Sequence, residues 1–295
     1  MMEGALHYGK YIAAATAVAL SLAALPALAD EPTFFNEAQP NFDNCGDSSL
    51  SDAIANGIIV GYSVGPPGVI LDEATKKASG IDVDINNAVL AWLGIKNVQN
   101  QFLPFESLIP SLLSKRVTVV GADLHHNPTR DKIISFTGPA FWYGPALVVA
   151  KGNPLNIKSY DDLKGKKVGV VTSAAADQYL QSVGITTTSF KDQFGEFTSL
   201  NDGRLDAVVE DDIGFNQYAQ QVPDNKLEVA PAAVPLALIQ GGGYGMARFA
   251  LRKEDCSLRV AYTTALAEMR ANGEVLYILK KYGLSERNMN LPTQP

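Results

Sequence analysis

The chain has 295 residues, with 31 acidic against 24 basic side chains and a net charge of −7. A mildly acidic chain without basic clusters is poorly suited to nucleic acid or to an anionic membrane surface, so neither is expected as a partner. Its two cysteines and few histidines cannot assemble a tetrahedral zinc site, and no cofactor is expected.

Lys10 precedes an apolar run over residues 11–25, which ends in Pro26-Ala27-Leu28-Ala29 ahead of Asp30. A charged start, a short apolar centre and a small-x-small exit predict a secretory signal peptide over 1–29, cleaved after Ala29. The run is shorter than the roughly 20 residues that span a bilayer. The mature chain is expected in the periplasm. Export places Cys45 and Cys256 in an oxidising compartment, which favours one disulfide between them over two separate buried thiols.

Residues 30–55 are polar and read as an irregular N-terminal extension anchored only at Cys45. A strand is predicted over 58–62, broken by Gly65-Pro66-Pro67-Gly68. Helical apolar spacing follows through Ala88, Val89, Trp92 and Leu93, with Gly94 as its stop. Further predictions are a strand over 98–103, a short helix over 107–113 and a buried strand over 117–122. This alternation implies a mostly parallel sheet with helices on its faces. A second set begins after Lys151-Gly152-Asn153-Pro154: a short helix over 159–163, a strand over 168–171, and a helix over 174–183 with Ser173 as N-cap. It continues with a helix over 197–203, a strand over 205–209 and a helix over 215–222. Two helices, 257–272 and 274–282, close the chain, separated by Gly273 and ended by Gly283. The run Gln240-Gly241-Gly242-Gly243 lacks the Lys-Ser/Thr of a phosphate loop. In open α/β sheets ligands sit beyond the carboxyl ends of the strands, so the loops after Tyr62, Leu103, Ala122, Val171 and Val209 are the ones to search.

Several segments carry a resemblance, and they come in order along the chain. Gly80-Ile81-Asp82-Val83-Asp84-Ile85 is similar to a G-F-D-V-D-L pattern. Phe105 to Leu112 is similar to W/F-x-x-L-I-P-x-L, and Asn127-Pro128-Thr129-Arg130 to T-P-E-R. Asp162 to Val170 is similar to D-L-K-G-K-x-V-G-V, and Gly203 to Val209 to G-R-x-D-A-V-V. Over residues 56–285 the chain resembles the polar amino-acid class of periplasmic substrate-binding proteins of ABC transporters, the family 3 solute-binding proteins. The resemblance implies two α/β lobes joined by two crossovers. Lobe 1 would hold 30–150 and 238–295, and lobe 2 would hold 151–237. It further implies a monomer that clamps an amino acid or amino-acid-like solute and delivers it to a membrane permease.

A zwitterionic amino acid needs a cation for its carboxylate and an anion for its ammonium. The resemblance puts Arg130 at the first role, where a guanidinium donates two parallel hydrogen bonds. It puts Asp211 at the second, with Glu210 next in the run Glu210-Asp211-Asp212, where register alone decides. The helix start at Ser173-Ala174-Ala175 offers backbone N–H groups and the Ser173 hydroxyl to the same carboxylate. Phe105 corresponds to an aromatic that stacks on the ligand. The chain departs from the pattern in the first loop, where Gly65 falls near the family's aromatic and Tyr62 near an acid that basic-amino-acid binders often carry. It departs again at Asp123 and His125, where the family has small and hydroxyl residues. Asp123 adds negative charge to Asp211 and so points to a cationic or amine-rich solute, unless it simply pairs with His125 or Arg130. The alternative function is a periplasmic dehydratase-type enzyme on the same scaffold, with Glu210, Asp123 or His125 as its acid.

Overall fold

The structure is a computed structural model that describes residues 45–240, 244 and 246–291. The leader read at 1–29, the segment 30–44 and the glycine run 241–243 lie outside the described residues. The first part of the chain forms α1 (Ser49–Asn56), β1 (Ile58–Tyr62), β2 (Ile70–Leu71), β3 (Ala78–Ser79), α2 (Ile81–Trp92) and β4 (Val98–Phe102). It goes on through α3 (Leu108–Leu113), β5 (Val119–His125), α4 (Pro128–Asp131) and β6 (Ser135–Phe136). The middle part forms β7 (Pro145–Ala150), β8 (Val168–Val171), α5 (Ala175–Ser182), β9 (Thr187–Phe190) and α6 (Gln193–Asn201). It ends in β10 (Ala207–Asp211), α7 (Asp212–Gln221), β11 (Leu227–Val229) and α8 (Leu236–Gln240). Strand β12 (Ala247–Leu251) and helices α9 (Cys256–Ala271) and α10 (Glu274–Lys281) follow.

Two five-stranded sheets, in orders β4-β1-β5-β12-β6 and β11-β7-β10-β8-β9, form the centres of two α/β lobes. In the first, β4, β1 and β5 run parallel and β12 antiparallel. In the second, β9, β8 and β10 are parallel, and β7 runs against β10 and β11. The strands are short runs of β-branched residues, buried on both faces where helices cover them. Gly121 admits a close approach in the first sheet: a side chain there would meet Val60 Cγ1 at 2.4 Å and Tyr62 Cε1 at 2.6 Å. The Tyr62 ring therefore lies inward across β5. No helix among the described residues is long and apolar enough to cross a membrane.

The predicted lobe boundaries need correction. Strand β7 pairs with β10 and β11, so the second lobe begins by Pro145 and not at 151. The Gly152-Asn153-Pro154 break is a turn inside that lobe, with Gly152 at φ 80° and Asn153 at φ 45°. The crossing itself runs through the extended segment before Pro145, where Gly138-Pro139 and Gly144-Pro145 are breaks of the same kind as the one at 152–154. On the return, Leu238 still packs in the second lobe's core with Val149 and Leu147, and the first sheet resumes only at Ala247.

Residues 45–56 are also more ordered than their composition predicts. Ser49–Asn56 is helical, and Asp47 binds the start of α9 by accepting from the Ser257 N–H at 3.0 Å and the Ser257 hydroxyl at 2.8 Å. Cys45 and Cys256 are bonded, with their Cα atoms 5.4 Å apart and a sequence separation of 211. Closing so long a loop removes much freedom from the unfolded chain. Replacing both cysteines by serine should lower the urea-unfolding free energy by roughly 2–4 kcal/mol. Two thiols that alkylate in the native, unreduced protein would contradict the bond.

Candidate functional site

The carboxyl ends of both sheets face one cleft, with about 710 Å³ of space between its walls, part of it open to solvent. Arg130 reaches it from α4. Asn127 caps that short helix by accepting the Arg130 N–H at 2.8 Å, and Pro128 occupies the first helical position. The guanidinium is buried and donates to the His125 carbonyl (Nη1, 2.8 Å) in lobe 1 and to the Ser173 carbonyl (Nη2, 3.0 Å) in lobe 2. Burial lowers its pKa to about 10, which leaves it a cation at neutral pH. The Phe105 ring lies 5.6 Å from the guanidinium carbon, a cation–π contact, so this ring borders the cleft while also backing Arg130.

Ser173 does not stand where it was predicted. The N-cap of α5 is Ala174, and Ser173 is a left-handed residue at φ 63°. Its N–H donates to Asp177 Oδ2 and its carbonyl accepts from Arg130 and Gln178, so it braces the arginine through its backbone. Ala174 and Ala175 border the cleft instead, and Ala175 opens the helix, where backbone N–H groups have no partner within the helix.

The three acids at 210–212 go to three places. Asp211 ends β10 and faces the cleft. Its Oδ2 accepts from Gln193 Nε2 at 3.2 Å, and its Oδ1 lies 3.7 Å from His125 Nε2 across the lobes. Glu210, one residue back, also borders the cleft and is buried. Its Oε1 accepts from the Asp211 N–H (2.9 Å) and from Gln193 Nε2 (3.1 Å). Asp212 turns to the crossover and accepts from the Gly144 N–H. Burial and the charge of Asp123 push the Asp211 pKa well above the ordinary carboxylate range. Burial and Asp211 push Glu210 up to about 8, and burial and Glu210 raise Glu196 behind it well above the ordinary carboxylate range.

His125 is buried at the end of β5, its ring 4.5 Å from that of Tyr143 and 4.3 Å from that of Tyr244. Asp123, two residues back on the same strand, borders the cleft, with its pKa raised to about 6 by burial in spite of the neighbouring His125. Tyr62 is not on the cleft. It packs in the core of lobe 1 against Phe102, and the loop that follows it supplies the wall.

Sequence reasoning missed Asp82, Tyr143, Gln193 and Tyr244. Tyr143 borders the cleft, and its hydroxyl donates to the Asp123 carbonyl at 2.8 Å. For Asp82 a signal existed: an acid between the apolar Ile81 and Val83 at the start of a helix. For the tyrosines and Gln193 no local signal exists, because connecting segments and a lobe 2 helix bring them in.

A model of the bacterial extracellular solute-binding proteins, family 3, matches residues 58–285. The lysine/arginine/ornithine-binding periplasmic protein of Escherichia coli strain K12 is 29% identical over 208 residues, which cover 69% of this chain and 78% of that protein. An ancestral arginine-binding protein bound to arginine superposes with a TM-score of 0.67 at 33% identity, covering 76% of this chain and 97% of that one. EhuB in complex with hydroxyectoine superposes with a TM-score of 0.73 at 25% identity, covering 81% and 93%.

The buried acids make stability depend on pH. Glu210 titrates near an ordinary 4.5 in the unfolded chain and at about 8 in the folded one. Below pH 4.5 it is protonated in both states. As pH rises toward 8 only the unfolded chain loses the proton, so stability falls, and the loss levels off above 8. Glu210→Gln keeps the accepting oxygen without the charge. It should match the wild type at pH 4 to 5 and exceed it by on the order of 3–5 kcal/mol at pH 9. Chemical denaturation across that range checks this; parallel pH profiles in the two proteins would contradict it.

Proposed function

We propose that this chain, which belongs to the bacterial extracellular solute-binding proteins of family 3, binds an amino acid or amino-acid-like solute between its lobes and delivers it to the membrane permease of an ABC transporter. One observation carries the reading: a buried cation, Arg130 of lobe 1, and an acid, Asp211 of lobe 2, face the same cleft from opposite sides. In this reading the guanidinium takes the α-carboxylate by two parallel hydrogen bonds, aided by the first backbone N–H groups of α5. Asp211 takes the α-ammonium. Because each lobe supplies one anchor, ligand binding favours the closed arrangement. The amino-acid binding stated in the names of similar proteins supports the solute class, and their periplasmic location supports export through the leader at 1–29. The protein acts as a monomeric receptor and not as an enzyme. The dehydratase reading is the weaker one, since the Glu210 carboxylate is engaged by the Asp211 N–H and by Gln193.

Calorimetry with the protein amino acids, opines and compatible solutes tests the reading. Arg130→Ala and Asp211→Asn should each weaken the bound amino acid by roughly 2–5 kcal/mol, since each leaves an opposite charge unpaired. Near-wild-type affinity in either variant would displace that residue from its role. Small-angle scattering should show a smaller radius of gyration with saturating ligand. Mass spectrometry of the same mixtures should show the solute unchanged, and a new product would favour the enzyme.

A further inference from the structure

One end of the cleft has no part in holding an α-carboxylate or an α-ammonium. Asp82 stands in the first turn of α2, 1% exposed, and borders the cleft. Its Oδ2 accepts the Asp123 N–H at 3.1 Å, and its Oδ1 is buried without a hydrogen-bond partner. A methyl group on Gly68 would lie 3.0 Å from Asp82 Oδ2 and 3.7 Å from Asp123 Oδ2, so the two carboxyl groups converge on one stretch of wall. The charges acting on Asp82 are those of Asp123 and Asp211, both negative. Two carboxyl groups buried side by side, one with a bare oxygen, form an arrangement that a positive group would relieve. Among the described residues, no third acid or histidine joins the pair at a spacing that would hold a metal ion. Asp211 feels Asp123, whereas Arg130 has Tyr143, Tyr244 and Asp211 as its charge neighbours. Arg130, Asp211 and the Asp82–Asp123 pair all border the same cleft.

We infer that Asp82 and Asp123 together seat a second positive group, so that the solute is an α-amino acid whose side chain ends in an ammonium or a guanidinium. This rests on the reading that Arg130 and Asp211 hold the α-groups. The departures from the family pattern then fit together. The first loop contributes Gly68 where a side chain would crowd the pair, and the acid that meets the side chain stands on β5, braced from α2.

The test compares charged and neutral ligands of matched size by calorimetry on the whole protein: L-lysine against L-norleucine, and L-arginine against L-citrulline. The charged member of at least one pair should bind about 100-fold tighter or more, and Asp82→Asn and Asp123→Asn should each cut that ratio by about tenfold or more. Thermal unfolding of both variants accompanies the titrations, and the wild-type comparison needs no variant. Equal affinity within both pairs overturns the inference while leaving the roles of Arg130 and Asp211 intact, and so does a ratio that survives both substitutions. Binding of none of the four ligands also overturns it, and the wider solute panel then decides separately whether Arg130 and Asp211 hold an amino acid at all.

Discussion

Arg130 donates to a carbonyl on each side of the cleft, His125 in lobe 1 and Ser173 in lobe 2, and much of the surrounding structure serves that placement. Asn127 caps its helix and also donates from Nδ2 to Gln178 of lobe 2, so the turn that orients the arginine also touches the opposite wall. Phe105 backs the guanidinium, and the left-handed Ser173 turns its carbonyl toward it while Asp177 holds the Ser173 N–H. Buried without such partners, a guanidinium would be costly; with them it stays charged and keeps donors for a planar anion.

The acids set the opposing term. Asp82, Asp123, Glu210 and Asp211 all border one cleft, and burial raises the pKa of each. Like charges held this close and this dry oppose folding, and clusters of perturbed carboxyl groups concentrate where a ligand supplies the missing charge. Glu210 illustrates the local engineering: it gives up exposure to hold both the Asp211 N–H and Gln193, which in turn donates to Asp211. The strand-to-helix step at β10 separates three consecutive acids, with Asp211 left to face the cleft.

The rest of the fold keeps the two walls apart and rigid. Each lobe has its own buried core, and the chain first passes between them through the extended segment before Pro145. The bond between Cys45 and Cys256 and the Asp47–Ser257 contacts tie the start of the ordered chain to α9, within the lobe that carries Arg130. Tyr143 stands on a connecting segment and still contributes its hydroxyl to the Asp123 carbonyl, so a residue between the lobes helps to position one on the wall.

The sequence by itself determined what depends on neighbours along the chain. The alternation of β-branched runs with helical spacing marked β1, β4, β5, β8 and β10 to within a few residues. The Asn-Pro-x-Arg turn and the acid at the end of β10 marked two side chains that face the cleft. Tertiary structure alone decided what depends on distant partners. Strand β7 reads as an apolar run in either lobe until its hydrogen bonds to β10 and β11 assign it. Helix α1 is too short and polar to show a pattern, and it holds because Asp47 and Ser257 meet across 210 residues of chain. Tyr62 turned inward because Gly121 makes room for its ring, and Ser173 lost the cap because its backbone took a left-handed turn toward Arg130. Asp82 became part of the wall only when β5 came alongside α2. Periodicity and chain breaks are local and so can be read in one dimension, whereas the direction of a side chain is settled by what packs against it.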